Sequence, residues 1–158
     1  MTIVLASTSP RRYQILSLLN LPFLMVSPEG SEVATEGRSP AQEALHQARR
    51  KAVSLATRFP GAIRMGSDTL ISLEGAKIGK PKDVDDAGDI LRRLRGRAHE
   101  VVTAVAMVQG KRTFEIVETA RIRMREFSDQ EREAYLATGD SLDKAGAYSV
   151  QGLGRSLI

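Results

Sequence analysis

The chain has 158 residues, a formal net charge of +4 at pH 7, 42% hydrophobic residues, and neither cysteine nor tryptophan. This length fits one domain with a real core, and the lack of cysteine excludes a disulfide framework, a thiolate nucleophile and a cysteine-based zinc site. Because there are only two histidines and 4% aromatic residues, we expect neither a histidine metal cage nor an aromatic platform for single-stranded nucleic acid.

The sequence predicts a cytoplasmic protein without membrane contact. No apolar run approaches the roughly 18 residues that a membrane-spanning helix needs, and the first residues are typical of a strand rather than of a targeting segment. Basic residues are interleaved with acidic ones instead of forming a tail. The positive charge therefore indicates an anionic partner, either a nucleic acid or a small polyphosphate.

Strands and helices alternate in the first half of the chain. Residues 2–6 predict a short buried strand, and Ser9 with Pro10 predicts the start of a helix. The apolar face expected for this helix consists of Ile15, Leu16, Leu18 and Leu19. A second strand is predicted over residues 23–27.

An acidic loop and a long helix follow. The loop covers residues 27–40 and carries Glu29, Glu32 and Glu36, and the sequence SPAQ at 39–42 predicts a capped helix start. Apolar residues keep helical spacing to about Phe59, so the helix is expected to continue that far.

The next segments predict a broken strand, a turn and a helix. Two strand-like stretches, 63–66 and 70–73, flank the small polar residues at 67–69. A lysine-bearing turn over 77–83 then leads into a helix that Asp83 caps and Gly96 ends.

The last third predicts a hairpin, a helix and an irregular loop. Residues 101–108 and 113–124 alternate as strands around a QGK turn, and SDQE at 128–131 begins a helix that ends at Gly139. The glycine-rich residues 142–152 indicate a shaped binding loop. This order predicts an α/β domain with a mixed sheet.

The sequence LASTSPRR at 5–12 has the layout of a phosphate site. An apolar strand stops at small hydroxyl residues, and a helix then begins at Pro10. Backbone N–H groups, the Ser9 hydroxyl and the guanidinium groups of Arg11 and Arg12 would converge on an anion with several oxygens. The alternative is a capped surface helix with two solvated arginines.

The sequence GSDT at 66–69 places a carboxylate inside an apolar stretch. Asp68 there could take a proton from water or hold a divalent cation, and Thr69 offers a hydroxyl beside it. A turn aspartate bonded to its own backbone is the alternative.

Three further segments carry candidate binding groups. In GKP at 79–81, Lys80 suits a phosphate, although surface turn lysines are common. The RRK sequence at 49–51 is a solvated helix face unless one of its side chains turns inward toward an anion. In LDKAGAYSVQG at 142–152, the Gln151 amide could read a base edge, or the loop is simply a tight turn held by glycines.

Taken together, these segments resemble the Maf family of nucleoside triphosphate pyrophosphatases. The family motifs Ser-x-Ser-Pro-Arg, Gly-Ala-Asp-Thr, Lys-Pro and Asp-Lys-Ala-Gly-Ala-Tyr-x-x-Gln-Gly recur between Ala6 and Gly152. The resemblance implies a mixed, strongly bent α/β sheet with two lobes around a cleft, as in inosine triphosphate pyrophosphatase-like proteins. It also implies hydrolysis between the α- and β-phosphates, which gives a nucleoside monophosphate and pyrophosphate with Mg²⁺ or Mn²⁺ as the cofactor.

The resemblance assigns roles to individual residues. Asp68 would be the general base and a metal ligand, and Glu32 would help to hold the cation. The residues that would bind the triphosphate are Ser9, Arg12, Lys51 and Lys80.

Three positions separate the subgroups of the family. This chain carries Arg11, Thr69 and Gln151, as do the dTTP/UTP enzymes, whereas the 7-methyl-GTP enzymes have Trp, Gln and Glu there. A glutamine amide can pair with a pyrimidine carbonyl and N3–H at once. We therefore expect pyrimidine substrates, either canonical or modified.

The sequence departs from the family pattern in two places. Ser67 replaces the usual alanine, which adds one hydroxyl beside the aspartate. The family also continues past the Gln-Gly-x-Gly segment, where residues 152–158 begin what is predicted to be a strand. We therefore expect residues 1–158 to be a single Maf-like domain without the family's C-terminal elements, and to be weakly active, less stable than an extended form and prone to self-association.

Two other functions stay open at this point. An RNA-binding module would use the basic residues, but it is disfavoured by the lack of a clustered basic stripe and of stacking aromatics. A non-catalytic regulator of cell division (septum formation) would act through protein partners. The expected partner is a nucleoside triphosphate, without nucleic acid or membrane, and a homodimer is left open.

Overall fold

A computed structural model describes residues 2–31 and 37–158. The strands are β1 (Ile3–Ala6), β2 (Leu24–Val26), β3 (Ile63–Leu73), β4 (Ala76–Ile78), β5 (Ala98–Gln109) and β6 (Arg112–Arg123). The helices are α1 (Pro10–Ser17), α2 (Pro40–Ser54), α3 (Val84–Leu94) and α4 (Asp129–Ala137), with short 3₁₀ helices at Ala145–Ala147 and Leu153–Leu157. Among the described residues, no helix is long and apolar enough to cross a membrane.

The strands form one mixed sheet in the order β2-β1-β3-β5-β6, with β4 paired to β3. β1 runs parallel to β2 and to β3, whereas β4 runs antiparallel to β3. Parallel neighbours need crossover connections, and α1 and α2 supply them. The predicted α/β class with a mixed sheet is confirmed.

The chain divides into two compact units. The first unit takes residues 1–68 and 103–118, and its core of Val4, Ala6, Leu55 and Ala62 lies where α2 covers the parallel strands. The second unit takes residues 69–102 and 119–158, and its core joins α3 and α4 to the Tyr148 loop. Each unit thus has its own apolar centre.

The starts of α2, α3 and α4 follow the predicted capping chemistry. Ser39 and Ser128 each form a full capping box with the residue three positions on, and Asp83 accepts a hydrogen bond from the N–H of Asp86. Hydrogen bonds from Arg125 and Ser128 lower the pKa of Glu131, in the second box, to about 2. These local signals are strong because a side chain satisfies N–H groups that the helix itself leaves open.

The apolar face predicted for the first helix was wrong. α1 ends at Ser17, so Leu18 and Leu19 lie beyond it, and Ile15 is 60% exposed. No side chain of α1 is buried within the described part of the chain. Helical spacing of apolar residues predicts a face that needs cover, but it does not say what covers it.

Two strand predictions were also wrong. The expected break at 67–69 does not exist, because β3 runs unbroken from Ile63 to Leu73 between β1 and β5. β3 pairs with β1 through Ile63–Gly66 and with β4 through Ile71–Leu73, and the strand continues through the small polar residues between them despite their preference for turns. The strand expected at 152–158 is instead the 3₁₀ helix Leu153–Leu157.

A buried pair ties the glycine-rich loop to β5 in the second unit. The His99 Nε2 lies 2.5 Å from the Tyr148 hydroxyl, and the two rings meet edge to face. Burial lowers the pKa of His99, although a backbone hydrogen bond at Arg97 acts in the opposite direction. His99 is therefore neutral in the folded protein over a wider pH range than in the unfolded chain.

This pair predicts acid sensitivity. Because the folded pKa of His99 lies below its ordinary value of 6.5, the unfolded chain binds the extra proton first. The stabilising contribution of the neutral histidine is complete above pH 6.5 and is lost as the pH falls below it. Urea unfolding between pH 8 and 5 should show a steeper loss of stability in the wild type than in His99→Gln, by at most about 1.4 kcal/mol per pH unit. Parallel profiles would contradict this account.

Candidate active site

The site in the first unit depends on how closely α2 approaches β3. A Cβ atom placed on Gly66 would lie only 2.0 Å from the carbonyl oxygen of Ala48 and 2.8 Å from the backbone nitrogen of Ala52. Any side chain at residue 66 would therefore push the helix away. A glycine inside a strand often marks such a close backbone approach.

This approach brings Lys51 of α2 to Asp68 of β3. The Lys51 Nζ lies 2.6 Å from Asp68 Oδ1 and also donates to the carbonyl oxygen of Ser67 at 3.4 Å. Both side chains are largely shielded from water, with 5% and 14% exposure. At this distance and burial the pair is strongly attractive and fixes the orientation of the carboxylate.

Lys51 is the member of the RRK segment that turns inward. Arg49 pairs with Glu115, and Arg50 donates to Gln47 and to the backbone oxygen of Glu29. Both arginines thus have partners other than Asp68 in the first unit. The sequence offered all three basic residues as candidates, and the structure selects Lys51.

The predicted phosphate segment lies between β1 and α1. Ser9 and Pro10 occupy the N-cap and first helical positions as predicted, but within the described residues the Ser9 side chain makes no capping hydrogen bond. The Ser9 backbone N–H donates instead to the buried Ser7 Oγ at 3.1 Å. Arg11 and Arg12 follow in the first turn of the helix, which carries no acidic residue, so this end of α1 is suited to an anion.

The predicted metal ligands are Asp68 and Glu32. Glu32 lies outside the described residues, and no group of three or more His, Cys, Asp or Glu side chains within the described ranges could hold a metal ion. Mg²⁺, however, is commonly held by one or two carboxylates together with substrate phosphates. The donor chemistry of Asp68 fits that mode and does not fit an all-protein metal cage.

The second unit brings the Lys80 turn next to the glycine-rich loop. The Gly146 N–H donates to the Gly79 carbonyl oxygen at 3.0 Å, directly before Lys80, which is exposed. Gly146 has a φ of +70°, and a Cβ there would lie 2.6 Å from Ile71 Cδ1. The Lys80 turn and the glycine-rich loop are therefore joined by a backbone hydrogen bond in the second unit.

Gln151 and Thr69, both proposed to select the base, also belong to the second unit. Gln151 is exposed near the end of the loop, and its backbone N–H donates to the Ser149 Oγ at 3.3 Å. Thr69 is half-buried in the middle of β3 rather than in a turn.

A protein-family model described as "Maf-like protein" matches residues 2–158. The chain belongs to this family.

Three relatives named dTTP/UTP pyrophosphatase support the assignment. The Symbiobacterium thermophilum protein is 40% identical over 99% of this chain and 80% of its own length. The Dictyoglomus turgidum protein is 42% identical over 99% and 82%, and the Aquifex aeolicus protein is 41% identical over 100% and 83%.

Solved structures show the same fold at much lower identity. The Staphylococcus aureus Ham1 protein matches with a TM-score of 0.59 and 16% identity, over 100% of this chain and 80% of its own. A HAM1 protein from Coxiella burnetii matches with a TM-score of 0.54 and 15% identity, over 85% and 90%. The inosine triphosphate pyrophosphatase-like fold expected for the Maf-like chain is therefore confirmed.

The residue pattern places Gly66 at the end of the strand-like stretch 63–66 and does not predict its close contact with α2. Its signal was present, because a glycine flanked by β-forming residues often marks a bulge or a backbone contact. Ser7 was likewise overlooked, although it is 3% exposed and orients the start of α1.

Replacing Gly66 by alanine tests the close contact between α2 and β3. The new methyl group must displace α2, so we expect Gly66→Ala to lower the free energy of unfolding by about 1–3 kcal/mol. Gly79→Ala is the matched control, because a Cβ at Gly79 meets nothing within 4 Å. Urea melts of both variants should show a clear loss for Gly66→Ala alone, and equal midpoints would contradict the contact.

Proposed function

We propose that this chain hydrolyses dTTP and UTP between the α- and β-phosphates, releasing the nucleoside monophosphate and pyrophosphate. The observation that carries the proposal is the shielded pair of Lys51 and Asp68. Asp68 of this pair lies in the family's GxDT segment, in a chain about 40% identical to proteins named dTTP/UTP pyrophosphatase.

Asp68 acts as the general base in this proposal. Its carboxylate takes a proton from a water molecule, whose oxygen then attacks the α-phosphorus as the bond to the bridging oxygen breaks. Lys51 holds Asp68 in one orientation through the 2.6 Å contact. A base held in this way needs no reorganisation at the moment of proton transfer.

Negative charge on the triphosphate must be balanced as pyrophosphate departs. Ser9 and Arg12 at the start of α1 and Lys80 in the turn after β4 carry groups suited to this task. Lys51 is the fourth residue proposed to contact the triphosphate, and its ammonium group already balances Asp68.

A divalent cation, Mg²⁺ or Mn²⁺, completes the proposal. Asp68 and Glu32 would hold it together with phosphate oxygens, and the cation would neutralise charge on the leaving group. In this proposal the cation arrives with the nucleotide.

Arg11, Thr69 and Gln151 select the base. The Gln151 amide offers a donor and an acceptor together, which match the O4 and N3–H of thymine and uracil. A glutamate at this position would only accept hydrogen bonds and would suit the N–H edge of a methylated guanine.

The assignment of Asp68 as the general base predicts a large loss of activity in Asp68→Asn. Asparagine keeps the shape of the side chain but cannot take the proton, so kcat for dTTP should fall by roughly 10²–10⁴. Pyrophosphate release measures this rate. Ser67→Ala is the neighbouring control, since it retains the backbone oxygen that Lys51 contacts, and it should stay within about twofold of the wild type. If Asp68→Asn kept more than about a tenth of the rate, general-base catalysis by Asp68 would be excluded.

The assignment of Arg11, Thr69 and Gln151 to selection of the nucleobase predicts a switch of substrate. Exchanging Arg11, Thr69 and Gln151 for Trp, Gln and Glu should lower kcat/KM for dTTP and raise it for 7-methyl-GTP, because the acceptor-only glutamate favours the purine edge. Steady-state assays with both nucleotides give the ratio. A ratio equal to that of the wild type would show that these positions do not read the base.

A further inference from the structure

A buried lysine organises the start of the glycine-rich loop. Lys144 Nζ donates to Asp140 Oδ1 at 2.9 Å and to Asp143 Oδ1 at 2.6 Å, and its side chain is 11% exposed. Burial alone would lower the pKa of Lys144, but the hydrogen bonds to Asp140 and Asp143 outweigh it and raise the pKa. The lysine therefore stays charged and clamps both carboxylates.

The two carboxylates differ in what else they contact. Asp143 is 72% exposed, whereas Asp140 is 26% exposed and turns its second oxygen toward Gly152. A Cβ on Gly152 would lie 2.8 Å from Asp140 Oδ2 and 3.5 Å from Ser149 Cβ. This Oδ2 is buried and has no hydrogen-bond partner among the described residues. Its position is set by Lys144 on one side and by the Gly152 backbone on the other.

The Gly152 backbone in turn determines where Gln151 is placed. Gly152 is bonded through its N–H to the Ser149 carbonyl oxygen at 3.4 Å, and its own carbonyl oxygen accepts from Arg155 at 3.1 Å. Gln151 is the preceding residue, so a shift of Gly152 toward Asp140 moves the peptide that carries the Gln151 side chain.

We propose that Asp140, held by Lys144, is a positioning residue for Gln151 and sets the discrimination between uracil and cytosine. This inference deepens the proposed function and depends on it. Asp140 has no role in the phosphate chemistry. It acts through the packing of its carboxylate against Gly152.

The chemistry of an amide explains why positioning matters here. A glutamine side chain can pair with the O4 and N3–H of uracil, and after a half-turn of its amide it can pair equally well with the N4–H and N3 of cytosine. The amide alone therefore does not discriminate. Discrimination requires that Gln151 meets the base from one fixed position, and the Asp140–Gly152 contact constrains the backbone that carries Gln151.

The test compares kcat/KM for UTP with that for CTP in four proteins. In Asp140→Ala the ratio should fall by roughly tenfold or more, mainly through a higher KM for UTP, because misplacement of a binding group by about 1 Å is costly. Gln151→Ala should lower the ratio as well. The double variant should match Gln151→Ala alone, because both changes remove one function.

Asp143→Ala is the matched control, since it also removes one Lys144 contact but leaves the Gly152 contact intact. Its ratio should stay within about twofold of the wild type. Asp140→Asn, which keeps the side-chain volume, should show a smaller fall in the same direction and serves if the alanine variant does not fold. If the UTP-to-CTP ratio were unchanged in the Asp140 variants but lowered in Gln151→Ala, the inference about Asp140 would be overturned and the proposed function would not. A wild type that releases no pyrophosphate from dTTP or UTP would overturn the proposed function itself.

Discussion

The contact of α2 with β3 at Gly66 is the constraint on which the site of the first unit depends. The helix carbonyl of Ala48 occupies the space that any Cβ at residue 66 would need. Only this approach lets a lysine on the helix reach an aspartate on the strand at 2.6 Å. The ion pair therefore depends on Gly66, because it cannot form across a wider gap between α2 and β3.

The loss of either partner of this pair is expected to destabilise the fold. Removing one member of a shielded ion pair leaves an uncompensated charge away from water, which typically costs about 3–5 kcal/mol. Lys51 and Asp68 are therefore coupled in stability. Such pairs contribute little net stability compared with apolar packing.

The second unit uses the same device of backbone contacts made possible by glycine. Gly146 joins the loop to the Lys80 turn, and the Asp140 carboxylate lies against the backbone of Gly152. The His99–Tyr148 contact fastens the middle of the same loop to β5. A segment with little regular structure is in this way held at three separate points.

Local signals predicted most of the elements, because caps, glycine stops and strand alternation depend on neighbours in the sequence. The failures arose where distant contacts decide. β3 stays extended through Ser67, Asp68 and Thr69 because it pairs with β1 before them and with β4 after them, and Leu18 lies outside α1 despite its helical spacing. The family motifs indicated the candidate residues, but the selection of Lys51 over its two arginine neighbours required knowing which face of α2 meets the strand.

The central claim is that the chain cleaves a pyrimidine nucleoside triphosphate between its α- and β-phosphates. Phosphorus NMR of dTTP incubated with the protein and Mg²⁺ or Mn²⁺ tests this most directly, because it identifies both products. The account predicts dTMP and pyrophosphate in equal amounts, with no dTDP at any time. Accumulation of dTDP with orthophosphate, or an unchanged dTTP spectrum, would contradict it.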